Sequence, residues 1–234
     1  MALSKIRVEP YSSLYARRVD RASSMLSRKL ESQRIYLAVK RFSDICISCL
    51  SLIILFPLFI LIIALIKFDD PNASVLFRQK RVGKRGKTFY IYKFRSMVPE
   101  AEQLLDKLIN QNETTGAMFK MKDDPRVTRI GHILRKTSLD ELPQLINVIR
   151  GEMSLVGPRP PLPREVEKYS SHDLLRLAVT PGCTGLWQVS GRSTIGFDEM
   201  VALDLQYIHQ RNFRNDLKII MRTCLLLMGS KNAY

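Results

Sequence analysis

Cysteine is scarce, and its placement argues against disulfide or redox chemistry. The chain of 234 residues has four cysteines, Cys46, Cys49, Cys183 and Cys224, of which two lie in an apolar run and two are isolated. This spacing indicates no disulfide framework, so a reducing compartment is the simpler interpretation. Cys46 and Cys49 form a C-x-x-C sequence without neighbouring ligands, and we interpret them as small residues on an apolar helix.

Histidine is sparse, and the common nucleotide-binding motifs are missing. His132, His172 and His209 are scattered, with neither zinc-ligand spacing nor a triad arrangement, which argues against histidine-based catalysis. The sequence contains no G-x-x-x-x-G-K-[ST] loop and no convincing dinucleotide fingerprint. Any nucleotide must therefore be recognised by another arrangement.

Acidic residues are few relative to basic ones. The chain has 22 Asp and Glu against 37 Lys and Arg, which gives a formal net charge of +15. Such a surface favours polyanionic partners, namely nucleic acid, anionic lipid or a phosphorylated substrate. Composition does not choose among these three. The length suits one good-sized domain, or a smaller one with additions.

The first 34 residues are polar and basic and contain few large apolar side chains. We predict loose contact between residues 1–34 and anionic lipid headgroups, the alternative being a frayed, solvated terminus. The segment does not have the pattern of a cleavable signal, because the apolar core begins too late and no small-residue cleavage site follows it.

One long hydrophobic run follows, at residues 45–66, where 22 residues carry no charge. A straight helix of this length would extend about 33 Å, enough to cross a bilayer core. Pro57 predicts a kink near the middle. Basic residues flank both ends, which fits crossing poorly, so a re-entrant helix and a kinked spanning helix both stay open. Asp44, just before the run, is expected to pair with Lys40 or Arg41.

A basic hairpin is predicted after this run. Residues 74–77 and 88–92 have strand-like composition, and the glycines between them suggest a turn. Lys93 and Arg95 alternate with Phe94, so both are expected to project from one face while Phe94 packs on the other. We interpret the two cations as phosphate or headgroup contacts, with a solvated strand edge as the alternative.

Four amphipathic helices are predicted from apolar periodicity, at residues 99–112, 164–178, 198–209 and 216–228. The last of these contains two charges and is expected on a surface or in the core rather than across a membrane. Shorter segments have their own expectations: a strand at 186–189, and a solvated turn, rather than a cation site, at Asp123–Asp124.

The most informative pair of residues is Asp140 and Glu141. Leu139 and Leu142 flank the pair, which places it at the edge of an apolar face. A carboxylate near low-dielectric surroundings and several cations suits work on a phosphate ester. Arg159, in the rigid corner 157–160, presents a planar fork that matches phosphate oxygens.

These residue types can carry phosphoryl transfer. A carboxylate can attack phosphorus to form an acyl phosphate, and a neighbouring carboxylate can move a proton. A magnesium ion would neutralise the pyrophosphate and needs few protein carboxylates. Consecutive helix residues diverge by about 100°, so both acids meet one phosphate only near a helix end. Pro143 suggests a first turn, with Ser138 or Thr137 as the N-cap.

Three segments resemble those of the bacterial sugar transferases, the monotopic phosphoglycosyl transferases. They are RKTSLDELPQLINVIRGEMSLVGPRP at 135–160, the pattern FRQxRVGxxGxxFxxxKFRSM at 77–97, and PGxTGLWQVSGR at 181–192. The resemblance covers residues 35–234. This chain departs from the family pattern with Phe56-Pro57 at the helix break, where many members have Ser-Pro.

The resemblance implies a reaction and roles for named residues. Asp140 would attack the β-phosphate of a UDP-sugar, releasing UMP, with Glu141 as the second member of the dyad and Mg²⁺ at Asp140. Polyprenyl phosphate would then accept the sugar phosphate. The resemblance also implies a re-entrant, broken membrane helix. The basic substrate-binding positions would be Arg135, Arg159, Lys93, Arg95 and Arg192.

We therefore predict an α/β, mostly helical, membrane-associated single domain. Its parts would be a basic segment at 1–34, a re-entrant membrane helix at 35–67 and a cytoplasmic catalytic domain at 68–234. It would act at the cytoplasmic face of a bacterial inner membrane, on a UDP-sugar and undecaprenyl phosphate in contact with membrane lipid, without nucleic acid. The alternative, based on the charge of +15, is a membrane-anchored module that binds nucleic acid or anionic lipid.

Overall fold

The computed structural model describes residues 17–19, 33–108, 121, 123–191 and 195–229. This part of the chain is mostly helical, with two small two-stranded sheets, as predicted. The helices are α1 (Arg34–Ile54), α2 (Phe56–Asp69), α3 (Ala101–Leu108), α4 (Arg129–Lys136), α5 (Gln144–Arg150), α6 (Pro163–Glu167), α7 (Leu186–Ser190), α8 (Phe197–Gln210) and α9 (Phe213–Gly229). The strands are β1 (Leu76–Val82), β2 (Thr88–Phe94), β3 (Ser154–Val156) and β4 (Gly182–Thr184), and three 3-10 turns cover Lys84–Gly86, Leu139–Glu141 and Asp173–Ala178.

The apolar run forms a bent pair of helices. α1 and α2 meet at Leu55 with an angle of 61° between them. Pro57 lies in the first turn of α2, where its missing N–H would have no helical partner in any case, so the predicted kink is confirmed. In the part of the chain that is described, neither helix alone is long and apolar enough to cross a membrane, whereas the bent pair passes that test by length and composition. Re-entry itself stays a prediction.

The predicted hairpin is confirmed. β1 and β2 pair antiparallel from Leu76 opposite Phe94 to Val82 opposite Thr88, so β1 begins two residues later than expected. At the connecting turn, Arg85 and Gly86 have φ values of 54° and 74°. This left-handed backbone is what a tight turn between twisted strands requires. The basic turn and the end of β2 therefore lie at opposite ends of the hairpin.

A short parallel sheet fixes the corner that contains Arg159. Ser154 pairs with Gly182, and Val156 pairs with Thr184. A Cβ atom at Gly182 would lie 2.0 Å from the backbone nitrogen of Gly157, so only glycine permits this approach. The rigid Pro-rich corner that follows β3 is therefore anchored at its first residue.

The bent helix pair is packed against the polypeptide that bears Asp140. Ile62 and Ile66 of α2 are almost fully buried in a cluster with Phe94 and Leu134. Leu139 and Leu142, which flank the two acids, pack on the same cluster, as expected from their apolar character. The partly buried residues that pack against the cluster are Leu58, Phe59, Ile63, Val75, Ile130, Leu139 and Leu142. Burying a side chain such as Ile62 contributes roughly 1.5–3 kcal/mol, so the pair and the site are firmly joined.

The start of α1 is anchored by partners that differ from the prediction. Lys40 forms an ion pair of 2.7 Å with Asp216 of α9 rather than with Asp44. Arg41 donates to the last carbonyls of α5, where a cation complements the helix dipole. Asp44 accepts a hydrogen bond of 3.2 Å from the backbone N–H of Leu155. The expected local pair was wrong because acceptors distant in sequence are closer in the fold.

Two secondary-structure predictions were also wrong. Residues 186–189 form helix α7 rather than a strand, since the parallel pairing ends at Thr184 and Val189 N–H bonds the carbonyl of Gly185. The predicted helix at 164–178 is divided into α6 and a 3-10 turn. Between them Asp173 accepts hydrogen bonds from the N–H and hydroxyl of Ser170, which favours a turn.

Two polar segments are more closely packed than predicted: the turn at Asp123–Asp124, which was expected to be solvated, and part of the N-terminal segment, which was expected to contact lipid headgroups. Asp124 is buried in a paired contact with Arg126, whose guanidinium approaches the carboxylate to 2.6 Å. Of the basic N-terminal segment, Val19 is fully buried and Arg18 donates to the Tyr169 carbonyl at 3.0 Å. Residues 17–19 thus bind the protein body, and the rest of the predicted lipid contact at 1–32 lies outside the described residues.

Candidate active site

A short, unusual turn presents the two acids. α4 ends at Lys136, and Ser138 then adopts a left-handed conformation with φ 56°, which is uncommon for a residue with a side chain. The 3-10 turn Leu139–Glu141 follows. The two acids thus lie in a separate 3-10 turn ahead of α5 rather than in the first turn of an α-helix. The N-cap prediction was also wrong: the Thr137 hydroxyl donates back to the Ile133 carbonyl, and Ser138 makes no side-chain cap.

One lysine joins both carboxylates. Lys93 Nζ lies 2.6 Å from Glu141 Oε1 and 3.7 Å from Asp140 Oδ2. Asp140 is 6% exposed as a residue, whereas the Glu141 side chain is 43% exposed. The two acids therefore converge on a common cation despite their divergent positions on the turn. Lys93 lies near the end of β2, and its predicted phosphate contact stays a prediction.

The surroundings set the two acids apart in proton affinity. Burial raises the pKa of Asp140, and the charge of Glu141 adds to this, while Lys93 and Arg135 oppose it. Burial also opposes ionisation of Glu141, but Lys93, Arg159 and Arg81 outweigh it and lower the pKa of Glu141. Glu141 is thus the more readily ionised acid, and Asp140 the more basic carboxylate.

Three arginines face this pair. Arg135 is held by a hydrogen bond of 3.1 Å from its Nε to Ser96 Oγ. Arg159 lies 3.6 Å from Glu165, and its side chain is 30% exposed. Arg81, which the sequence reasoning did not select, is buried and donates to the Pro160 carbonyl at 3.0 Å. Arg81 could be recognised only from its position in β1, and that position becomes known only with the register of the hairpin.

Two further basic residues, Arg95 and Arg192, were predicted to bind substrate. Arg95 donates from Nε to the Ser74 carbonyl at 2.7 Å, and none of the contacts within the described ranges joins it to Asp140 or Glu141. Arg192 lies outside the described residues. The substrate-binding roles assigned to both stay predictions.

The acids fit a magnesium ion bound together with substrate. In the part of the chain that the structure describes, no three His, Cys, Asp or Glu side chains form a metal-binding group. Magnesium, however, is commonly held by one or two carboxylates and the oxygens of a phosphate substrate. The carboxylate oxygens of Asp140 and Glu141 are ligands of the kind that magnesium binds, so these residues are compatible with the predicted magnesium ion.

The arrangement defines a class of site before any comparison is made. A mostly buried carboxylate beside a second acid, one lysine and three arginines is suited to reactions of phosphate esters. Its attachment to a bent apolar helix pair would place such chemistry next to an apolar phase. The chain matches the family described as "Bacterial sugar transferase" over residues 35–230, and it belongs to that family.

Relatives of known name agree with this assignment. "Galactosyl transferase CpsE" of Streptococcus agalactiae is 49% identical over 197 residues, which cover 83% of this chain and 43% of that protein. "Exopolysaccharide production protein ExoY" of Sinorhizobium fredii is 43% identical over 83% of this chain and 88% of that protein. "Undecaprenyl-phosphate galactose phosphotransferase" of Salmonella typhimurium is 42% identical over 84% of this chain and 42% of that protein. The chain thus spans less than half the length of two of these relatives, and the predicted sugar-transferase family is confirmed.

Proposed function

We propose that this chain transfers a hexose-1-phosphate from a UDP-sugar to undecaprenyl phosphate and releases UMP. The reaction would be the first membrane step in assembly of an exopolysaccharide, a capsule or another glycoconjugate. The names of the relatives support the acceptor and the class of product. The observation that carries the proposal is the buried carboxylate of Asp140, which lies beside Lys93 and Glu141 and whose pKa is raised by burial.

In the first step, an Asp140 oxygen attacks the β-phosphorus of the UDP-sugar. The bond from that phosphorus to the bridging oxygen breaks, and UMP leaves with the electron pair. The product is an aspartyl phosphosugar. The raised pKa of Asp140 supports this role, because a more basic carboxylate is a stronger nucleophile once ionised. Arg159 would hold the phosphate oxygens through its partly exposed fork.

In the second step, a phosphate oxygen of undecaprenyl phosphate attacks the same phosphorus. The bond to Asp140 breaks, the carboxylate is restored, and the lipid-linked sugar pyrophosphate leaves. Glu141 is accessible at 43% exposure, and its carboxylate can accept a hydrogen bond from a protonated incoming phosphate. Lys93 contacts both carboxylates and would keep their charges compatible during the exchange.

Magnesium would be held by Asp140 together with substrate phosphate oxygens. When bound, it supplies positive charge that screens the pyrophosphate from the approaching carboxylate. The nearby cations Lys93 and Arg135 perform part of the same screening from the protein side.

We further propose that α1 and α2 form a re-entrant element at the cytoplasmic face of the inner membrane. Large apolar side chains on this pair are exposed, including Phe42, Ile53 and Phe68 at 71%, 73% and 90%. α9 supports the same surface, since its exposed apolar residues Phe213, Leu217 and Met221 recur every four positions, and each is followed by a basic residue. Such a helix suits the headgroup region of an anionic bilayer.

The test of the proposed reaction is retention of label from a UDP-sugar in which the β-phosphate is radioactive. The wild-type chain, incubated without acceptor and then denatured, should keep the label covalently, and undecaprenyl phosphate should discharge it. Asp140→Asn should retain none. Labelling that survives in Asp140→Asn would assign the nucleophile elsewhere, and UMP release without any retained label would argue against a covalent intermediate. The alternative of a mere binding module is disfavoured by membership of a transferase family.

A further inference from the structure

A second group of cations surrounds a small cavity away from the candidate active site. The cavity has a volume of about 90 Å³ and lies where the start of α1 meets β3, the hairpin turn and the end of α8. Its charged lining contains four cations and one carboxylate: Lys40, Arg41, Lys84, Arg211 and Asp44. An excess of positive charge around a cavity favours an anionic occupant.

The contacts of these cations show where charge is left over. Lys40 is neutralised by Asp216 at 2.7 Å, and Arg41 is bound to two α5 carbonyls. Arg211 donates from Nε to the neutral amide oxygen of Gln33 at 2.8 Å. Lys84 has no acceptor for its ammonium group in the described ranges. Lys84 therefore has no carboxylate partner in the described ranges, whereas Arg211 shares the charge of Asp216 with Lys40.

The neighbouring positive charges also affect the pKa of Lys84. Partial burial lowers the pKa of Lys84, and the positive charges of Arg85 and Arg211 lower it further. Like charges held together in this way are relieved when an anion binds between them. The excess of cations around the cavity and the lack of a carboxylate partner for Lys84 among the described residues thus point to the same kind of ligand.

The cavity is distinct from the site at Asp140. α5 connects the two, with Pro143 just before its start and Gly151, which lines the cavity, just after its end. Seven helical residues extend about 10 Å. Along the hairpin, Lys84 and Lys93 stand at opposite ends of β2, which is roughly 17 Å or more of extended chain from Thr88 to Lys93. None of the residues lining the cavity belongs to the acid pair or its arginines.

We propose that this cavity binds a single phosphate group through Lys84 and Arg211. It is much smaller than the roughly 300–1,000 Å³ typical of pockets for larger ligands, so a nucleotide sugar does not fit. The phosphate can belong to a free ion or to a phospholipid headgroup. A phospholipid headgroup as the source rests on the proposed membrane location, because α1 extends from the cavity to the bend with α2.

The experiment compares two charge reversals on the same turn. Lys84→Glu changes the cavity, whereas Lys87→Glu makes the same change at an exposed residue outside its lining. In one arm, the full detergent-solubilised chain is dialysed to equilibrium against radiolabelled orthophosphate at an ionic strength fixed with chloride. In the other, it is reconstituted in phosphatidylglycerol vesicles, extracted, and its retained lipids are counted by native mass spectrometry. Neither arm requires turnover, so failure of the proposed reaction would leave this test unaffected.

We expect Lys84→Glu to bind one phosphate fewer per chain than wild type, while Lys87→Glu matches wild type. Loss of orthophosphate alone identifies a free ion as the source, and loss of one retained lipid identifies a headgroup. Arg211→Gln, checked for an unchanged melting temperature without phosphate, should reproduce the loss. Equal binding by all variants in both arms overturns the proposal, and so does an equal loss in Lys84→Glu and Lys87→Glu.

Discussion

Two buried aspartates of this chain are paired with cations in opposite ways. Asp204 and Arg176 are sealed, with both side chains 1% exposed. Arg176 directs Nε and Nη2 to one carboxylate oxygen of Asp204 and donates from Nη1 to the Tyr169 hydroxyl at 2.8 Å. The aromatic ring of Tyr169 also lies 5.7 Å from the guanidinium carbon. This cluster joins α8 to the 3-10 turn at 173–178 and leaves no access for a ligand.

Asp140 is nearly as buried, but its surroundings are open and unbalanced. Its lysine partner is 22% exposed and is shared with a second acid that is 43% exposed. A point-like ammonium holds neither carboxylate in a rigid fork, unlike Arg176. The comparison teaches that burial of an acid does not mark a catalytic site by itself. Access, a shared cation and a second carboxylate are the features that distinguish the candidate site at Asp140.

The largest contrast between the two aspartates should be seen on removing the charge of Asp140. Asp140→Asn deletes the proposed nucleophile, and we expect the rate of UMP release to fall by about 10⁴-fold, the scale seen when one member of a catalytic group is removed. Stability should be kept or rise by up to about 1 kcal/mol, because a buried charge is lost and active sites often carry such a cost. Steady-state UMP release and urea unfolding measure the two effects. A loss of stability of several kcal/mol would make Asp140 a structural residue.

The reverse pattern is expected for the sealed aspartate. Asp204→Asn leaves Arg176 as a buried charge without its counter-ion, which costs about 3–5 kcal/mol of unfolding free energy. The midpoint of urea unfolding should fall at an unchanged slope. The fraction that stays folded should form UMP at nearly the wild-type rate per active chain, as judged by titration with labelled donor. A stability change under about 1 kcal/mol would show that the pair contributes little.

Sequence reasoning succeeded here where the physical signal is local. Pro57 determines the bend between α1 and α2, and Phe94 is buried between the more exposed Lys93 and Arg95, as their alternation predicted. The pairing of Asp140 and Glu141 with apolar neighbours likewise indicated a site on an apolar cluster. These features depend on residues within one turn or one strand of each other, so the sequence contains them.

Sequence reasoning failed where several partners distant in sequence compete. Lys40 forms its ion pair with Asp216, 176 positions away, rather than with Asp44 on its own helix. Arg81 became a site residue only because β1 places it against the corner at Pro160. The segment at 186–189 has strand-like composition, but its place after the short β4 made it a helix. Tertiary context overrides weak local preference in each case.

A smaller loss of rate is expected when Lys93, the lysine that contacts both acids, is replaced. Lys93→Met removes the shared cation while keeping the length and apolar stem of the side chain. We expect the rate to fall by about 10²-fold, comparable to loss of one preorganised charge-stabilising group. Burial disfavours the charge of Lys93, but Glu141 and Asp140 raise its pKa, so the wild-type ammonium is the form removed. The rate of UMP release at saturating donor measures the loss, and a change below threefold would deny Lys93 a part in the reaction.

The smallest effect is expected two residues further on, at Arg95. The alternation of β2 predicts that Arg95 shares a face with Lys93, but the strand ends at Phe94 and the Arg95 Nε is bound to the Ser74 carbonyl. Arg95→Gln therefore removes a peripheral contact, and we expect the rate to change by no more than about twofold, the scale of ±0.5 kcal/mol usual for surface substitutions. The same UMP assay, run beside Lys93→Met, gives the comparison. A loss as large as that of Lys93→Met would mean that Arg95 leaves Ser74 to bind substrate phosphate, as its position in the sequence first suggested.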